Sequence, residues 1–383
     1  MKKRLAQTTV AVAGFLAAGF LAGCSTSRSG AAKPPTLQDA YKGDFLIGVA
    51  INRRQFSDED RRGDPIIKAQ FNSISPENIL KWESVHPQPD RYDFVGSDRY
   101  VEFGEQNHMV IIGHTLVWHN QTPAWVFHDN NGNLVDRDTL LQRMRDHIHT
   151  VVGRYKGRIH GWDVVNEALQ DNGKLRPSLW LKIIGDDYIA KAFEYAHEAD
   201  PAAELHYNDY SLTMEAKRKG AIELIKKLKA EGIPVTAIGL QDHDKMNWPT
   251  AEQEDATIAD FAQLGVKVMI TELDVDVARA TQANRTADIT LNAQPVAGAS
   301  GETNGLSASA QQALARRYAD LFRVFLKHRD VIERVTFWGV TDGDSWLNTA
   351  NRVNYPLLFD RQGQPKPAFY AVIKVAREFH GNQ

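Results

Sequence analysis

Residues 137–167 read RDTLLQRMRDHIHTVVGRYKGRIHGWDVVNE, an amphipathic run followed by an apolar one that stops at two polar residues. In the first part Leu141, Met144, Ile148, Val151 and Tyr155 recur at spacings of three and four, which predicts a helix over 137–156 with one buried face. In the second, the short apolar run 159–165 predicts a buried strand, and Asn166 and Glu167 stand at its C-terminal end.

The same alternation continues in both directions. Strands are predicted over 45–51, 71–74, 110–117, 159–165, 204–207, 236–240, 266–271 and 334–340. After the second, Ser75 and Pro76 are expected as N-cap and first residue of a helix. Over 215–231, Ala221, Leu224, Ile225 and Leu228 repeat the helical spacing, and Gly232 is placed to end that helix. Eight strands separated by helix-length segments predict a (β/α)8 barrel, a TIM barrel, as a single catalytic domain over 37–383. The alternative, a doubly wound open sheet, lacks support because no strand is followed by a Gly-x-Gly-x-x-Gly phosphate loop. Residues 277–310, rich in Ala, Thr, Asn, Ser, Gly and Gln, break the rhythm and are read as an insertion after the seventh strand. It is either a surface excursion or a rim of the cleft.

Composition narrows the field of functions. With 43% hydrophobic and 24% charged residues the 383-residue chain is globular, and 15 prolines argue against a helical solenoid. Lys+Arg 45 against Asp+Glu 48 leaves a net charge of −3, without the basic excess that would hold nucleic acid. The single cysteine, Cys24, excludes an internal disulfide. It also closes an N-terminal address: Lys2, Lys3 and Arg4, then an uncharged stretch to residue 27, with Leu21-Ala22-Gly23-Cys24 at the end of its apolar part. This pattern looks like a bacterial lipoprotein signal over 1–23, with Cys24 as the lipid-bearing residue and 24–36 as a flexible tether. Cleavage there removes three positive charges and no negative one, taking the net charge from −3 to −6. The expected location is a membrane-anchored exported state, in the periplasm, at the outer membrane or on the cell surface.

In such a barrel the chemistry sits at the C-terminal strand ends. Those positions collect Glu77, Asn78, Lys81, His114, Trp118, Gln121, Asn166, Glu167, Gln241, His243, Glu272, Trp338 and Trp346. Indoles, amides, imidazoles and carboxylates on one mouth suit a polyhydroxylated ligand, whose flat faces stack on tryptophan while its hydroxyls bond to the polar groups. Glu167 and Glu272 each end an apolar strand, and glycoside hydrolysis needs two carboxyl groups. One must stay protonated, which requires apolar surroundings or a neighbouring negative charge that Glu272 could supply to Glu167. Asp274 shares a strand face with Glu272, and His243 on the neighbouring strand is expected to bridge the two. No metal site is predicted. His114 and His119 are five apart and point to opposite faces of a strand, and His147 and His149 diverge on a helix.

Four stretches occur in order: His114-Thr-Leu-Val-Trp118-His-Asn-Gln121, Trp-Asp-Val-Val-Asn-Glu (162–167), Ile-Thr-Glu-Leu-Asp (270–274) and Lys-Pro-Ala-Phe-Tyr (366–370). With them the chain over about 40–380 resembles the endo-β-1,4-xylanases of glycoside hydrolase family 10. The resemblance implies a retaining double displacement without cofactor or metal, with carboxyl groups about 5–5.5 Å apart. It implies Glu272 as nucleophile, Glu167 as acid/base and Asn166 on the sugar 2-hydroxyl. It places Glu77, Asn78 and Lys81 at the glycone sugars, and His114, Trp118 and Gln121 in the segment lining the cleaved sugar. Trp118, Trp338 and Trp346 would form an aromatic cage, and Gln241 and His243 would stand beside the nucleophile. Xylan and xylooligosaccharides are the implied partners, bound by a monomer, with Asn208 and Tyr210 as candidate contacts on the leaving-group side. The 277–310 insertion departs from the family pattern. A β-1,4-glucanase on the same architecture, or a non-catalytic carbohydrate-binding protein, are the other readings.

Overall fold

The computed structural model describes residues 36–277, 305–350 and 352–381. Nine parallel strands run in the order β1 Leu46–Ile51, β2 Ser73–Pro76, β3 Val110–Val117, β4 Gly161–Asn166, β5 Glu204–Asp209, β6 Ala237–Leu240, β7 His243–Lys245, β8 Lys267–Asp276 and β9 Ile332–Phe337. Each of β1 to β5 pairs with the next, β6 pairs directly with β8, β8 with β9, and β9 returns to β1. Eight strands thus close a (β/α)8 barrel, and the short β7 lies outside that ring, paired with the C-terminal part of β8 (His243 opposite Asp274). The strands are buried almost along their whole length, as a parallel sheet covered by helices requires.

Pairing corrects the reading of Ser75 and Pro76. They are the last residues of β2, opposite Ala50 and Ile51, rather than the start of a helix. Proline cannot donate to the ladder, but the chain steps past it, and the Glu77 N–H bonds to the Ile51 carbonyl at 3.1 Å. The next helix begins only at Trp82 (Trp82–Val85), so Glu77 and Asn78 emerge at a strand end. Likewise β8 runs to Asp276, five residues beyond its predicted end at 271, because β7 supplies a partner for the extension. Glu272 and Asp274 therefore sit within a strand, not after one.

The helix Arg137–Arg154 buries Leu140, Met144, His147, Ile148, Val151 and Val152, while Leu141 is only half-buried. Four of the five predicted positions, Met144, Ile148, Val151 and Tyr155, are buried as expected, and the face also takes in Leu140 and the polar His147, which a count of apolar residues leaves out. The helix Glu215–Ala230 ends as predicted, with Gly232 at φ +73° beyond its C-cap. Gly113 is required by packing: a Cβ there would stand 2.1 Å from the Trp162 ring, which fills the adjacent strand's side of the core.

A helix starting at Ala308, capped by the Ser307 side chain, takes up the end of the predicted insertion. Residues 278–304 of that insertion, and the predicted signal and tether up to residue 35 with Cys24, lie outside the described residues; Thr36, the last predicted tether residue, instead caps the helix Leu37–Ala40. Among the described residues no helix is long and apolar enough to cross a membrane.

Candidate active site

A cleft of about 850 Å³ opens at the C-terminal ends of the barrel strands. Glu77, Asn78, Lys81, His114, Trp118, Gln121, Asn166, Glu167, Gln241, His243, Glu272, Trp338 and Trp346 all line it. The structure therefore brings these thirteen predicted residues together. Asp274 stands one layer behind them, reaching the site through His243.

Glu167 follows β4 with φ +57°, a left-handed conformation that a non-glycine residue adopts at a cost on the order of 1 kcal/mol. Its N–H bonds to the Asn208 carbonyl at 2.9 Å, and its own carbonyl accepts from Arg176 Nε at 3.1 Å, so both sides of the peptide are fixed. The side chain is buried. Oε2 accepts from Trp118 Nε1 at 2.9 Å, and Oε1 accepts from Gln241 Nε2 at 3.1 Å and Asn166 Nδ2 at 3.2 Å. Burial raises its pKa above the ordinary carboxylate range, and the nearby Asp209 and Glu272 add to the rise; the Gln241 and Trp118 bonds work against it.

Glu272 is built into the same network from the other side. Its Oε1 accepts from Asn208 Nδ2 at 2.8 Å and its Oε2 from His243 Nε2 at 3.2 Å. The Thr271 hydroxyl donates to Asn208 Oδ1 at 2.6 Å, which fixes the amide with its NH2 toward Glu272. That NH2 also reaches Asn166 Oδ1 at 2.9 Å, and Gln241 Nε2 reaches the same oxygen at 3.3 Å. Two side-chain amides thus tie the two glutamates together.

His243 occupies the expected bridge. Nε2 faces Glu272 and Nδ1 lies 3.2 Å from Asp274 Oδ1, while Trp346 Nε1 donates to Asp274 Oδ2 at 2.7 Å. Burial opposes a charge on the imidazole, but Asp274 and Glu272 push its pKa up to about 10, so it is a cation at neutral pH. His114 turns Nδ1 to Asp163 Oδ2 at 2.9 Å and lies edge-on to Trp338, with ring centroids 5.4 Å apart.

Lys81, in the same cleft, is buried and donates to Asn78 Oδ1 at 3.0 Å and Gln121 Oε1 at 2.9 Å, with its ammonium 4.9 Å from the Trp118 ring centre. Glu77 lies beside it, with a pKa pushed up to about 7 by burial and by the charge of Asp344.

Several residues escaped the sequence reading. Asp344 lines the cleft but stood unmarked within 341–345. Asp209 and Lys217 form a fully buried ion pair at 2.8 Å, with the ammonium 3.1 Å from the Tyr210 ring centre, and Asp209 raises the Glu167 pKa. Asn208 and Tyr210 need correction. Asn208 is fully buried and holds Glu272, and Tyr210 is buried against Lys217 and Arg176, so neither presents itself to a leaving group. Among the described residues no group of three or more His, Cys, Asp and Glu is arranged to hold a metal ion.

Comparison with known proteins places these features in a family. The family model "Glycosyl hydrolase family 10" matches residues 36–375. Endo-1,4-beta-xylanase A of Xylanibacter ruminicola is 44% identical over 89% of this chain and 93% of its own length. A GH10 endoxylanase retrieved from a sugarcane soil metagenome has a solved structure that superposes with a TM-score of 0.81 at 41% identity, covering 89% of this chain and 99% of that one. The intracellular xylanase TsXylA of Thermoanaerobacterium saccharolyticum, solved as a Glu-to-Ala mutant in complex with xylotetraose, gives a TM-score of 0.78 at 39% identity over 88% and 98% of the two chains.

Proposed function

The chain belongs to glycosyl hydrolase family 10 and is an endo-1,4-β-xylanase, and we propose that it cuts xylan with Glu272 as nucleophile and Glu167 as acid/base. The observation that carries these roles is the asymmetry of two linked carboxyl groups. Glu167 is buried and raised in pKa, whereas Glu272 is held between an amide N–H and a cationic imidazole.

Glu272 attacks the anomeric carbon while Glu167 gives its proton to the departing glycosidic oxygen, leaving a glycosyl ester on Glu272. That ester carries no charge, so one of the groups that raised the Glu167 pKa disappears, the pKa falls, and Glu167 stays ionised and free to accept a proton. It takes a proton from water, whose oxygen displaces Glu272 from the sugar, and two inversions give net retention. Asn166 is placed to meet the sugar 2-hydroxyl, its carbonyl oxygen already oriented by Asn208 and Gln241. Glu77, Asn78, Lys81 and Gln121 would bind the glycone hydroxyls, with Trp118, Trp338 and Trp346 packing on the sugar faces.

The test is Glu272→Ala, assayed on glucuronoxylan and carboxymethyl cellulose with and without azide. Activity on xylan is expected to fall at least ~10³-fold, and azide should restore part of it as β-xylosyl azide. Retained activity in the mutant would remove Glu272 from the reaction, and wild-type activity mainly on the cellulose derivative would overturn the substrate.

The same reading extends to location. Lys2, Lys3, Arg4 and the apolar run ending at Cys24 support export and lipid attachment at Cys24, with the barrel tethered to a membrane. Cys24→Ser should abolish palmitate labelling in cells, move the enzyme from the membrane to the soluble fraction and leave xylan hydrolysis intact.

A further inference from the structure

The glycone end of the cleft carries an excess of acid. Asp344, in the loop after β9, lines it together with Glu77 from the end of β2. Asp344 Oδ2 is occupied twice, by the Thr341 N–H at 3.1 Å and the Thr341 hydroxyl at 2.7 Å, which holds the carboxylate in one orientation. Among the described residues its other oxygen makes no hydrogen bond. The two carboxylates feel each other, since the Asp344 charge is, after burial, what raises the Glu77 pKa. Lys81 offsets Glu77 only in part: its charge works against the rise in the Glu77 pKa, but its ammonium is committed to Asn78 and Gln121, and Glu272 and Glu167 act on it more strongly than Glu77 does.

We propose that Asp344 is a specificity-determining residue which, with Glu77, makes the glycone end reject a xylose that carries a uronic acid branch. The inference rests on the xylanase reading above and names which xylan that site prefers. Neutral sugars find hydroxyl acceptors on both carboxylates, whereas a branch bearing its own carboxylate meets two like charges in a partly desolvated pocket, where repulsion is worth several-fold in rate or more.

The experiment compares glucuronoxylan with the same polymer after carboxyl reduction, which turns each uronic acid into a neutral hexose of the same shape. At pH 7.5 and low salt the wild type should show a kcat/KM ratio, reduced over native polymer, of about fivefold or more. Asp344→Asn, which keeps an oxygen to accept both Thr341 bonds, should bring that ratio to within about twofold of unity. Asp344→Glu, which keeps the charge, should retain most of the preference, and 0.5 M NaCl should narrow the wild-type ratio. The readout is a ratio, so a change in overall activity from altered packing does not move it. A wild-type ratio near one, or the same ratio in wild type and Asp344→Asn, overturns the proposal. Linear xylohexaose is run alongside: cleavage there with an unchanged ratio removes only this inference, and no cleavage removes the xylanase reading with it.

Discussion

The indole of Trp118 does two jobs, stacking above Lys81 and donating its N–H to Glu167 Oε2 at 2.9 Å. A hydrogen bond to the ionised form holds a carboxyl pKa down, so this bond sets where Glu167 loses its proton. The acid must be protonated for the first step, and kcat/KM therefore falls as pH rises through that pKa. Trp118→Phe removes the donor but keeps a ring. Its overall rate should drop, and the alkaline limb of its kcat/KM profile should move up by ~0.5–1 pH unit. A limb that stays or moves down would detach Trp118 from the acid. His243 is the matching residue on the nucleophile's side. His243→Ala should lower kcat by about 10–10²-fold with a smaller change in KM, since it takes away a positioning contact rather than a sugar contact. Equal kcat values would sink that role. Both glutamates were legible because a carboxylate ending an apolar strand stands out against its neighbours. Asp209 and Lys217 were not legible. A buried ion pair between a strand end and a helix looks, in one dimension, like two ordinary surface charges.

Between elements, the helix Arg137–Arg154 is joined to the short helix Trp82–Val85 by a column of flat rings. His147 stacks on Trp82 with centroids 3.7 Å apart, and its Nδ1 meets His86 Nδ1 at 3.2 Å. Two facing Nδ1 atoms can share one proton only while the accepting ring is neutral, so the contact is lost when both rings are protonated. Burial lowers both pKa values, and for His147 the proximity of His86 lowers it further. The unfolded chain therefore takes up protons before the folded one does. The stability these rings confer is full above about pH 6.5 and is lost as pH falls below it, by at most ~1.4 kcal/mol per pH unit for each ring. His147→Phe keeps the stack and removes the titration. Urea unfolding at pH 7 and pH 5 should show the wild type losing about 1 kcal/mol more than the variant over that interval. Parallel losses would mean that the pair is already protonated in the fold. The helix itself was readable from its spacing. Its buried face was readable too, at Met144, Ile148, Val151 and Tyr155, but His147, a polar residue stacked within it, contributed nothing to the apolar count.

At the scale of the whole barrel, the alternation of apolar runs was enough to order the eight strands, since covered parallel strands must be apolar throughout. Two things were hidden. One is β7, only three residues long and held by pairing with β8 rather than by its own composition. The other is the end of β2, where pairing to β1 overrode a helix-cap signal. Both decide where glutamates point, because closure fixes each strand end relative to every other. β4 and β8, which carry Glu167 and Glu272, are separated by β5 and β6 alone. Asn208 on β5 bonds Glu272, Gln241 at the end of β6 bonds Glu167, and both reach Asn166. Direct attack by Glu272 needs the two carboxyl groups about 5–5.5 Å apart, whereas inversion requires about 6.5–9.5 Å to admit a water. Proton NMR during hydrolysis of xylohexaose should accordingly show the β-anomer of each new reducing end first, with the α-anomer growing only by mutarotation. Glu272→Asp withdraws the nucleophile by one methylene from a frame that cannot follow it. A misplacement of about 1 Å is worth on the order of 10²-fold in rate, so the variant should lose at least that much kcat while its unfolding midpoint stays near that of the wild type. Initial release of the α-anomer would mean that water, not Glu272, reaches the sugar first, and the barrel would then hold its carboxylates too far apart for the double displacement.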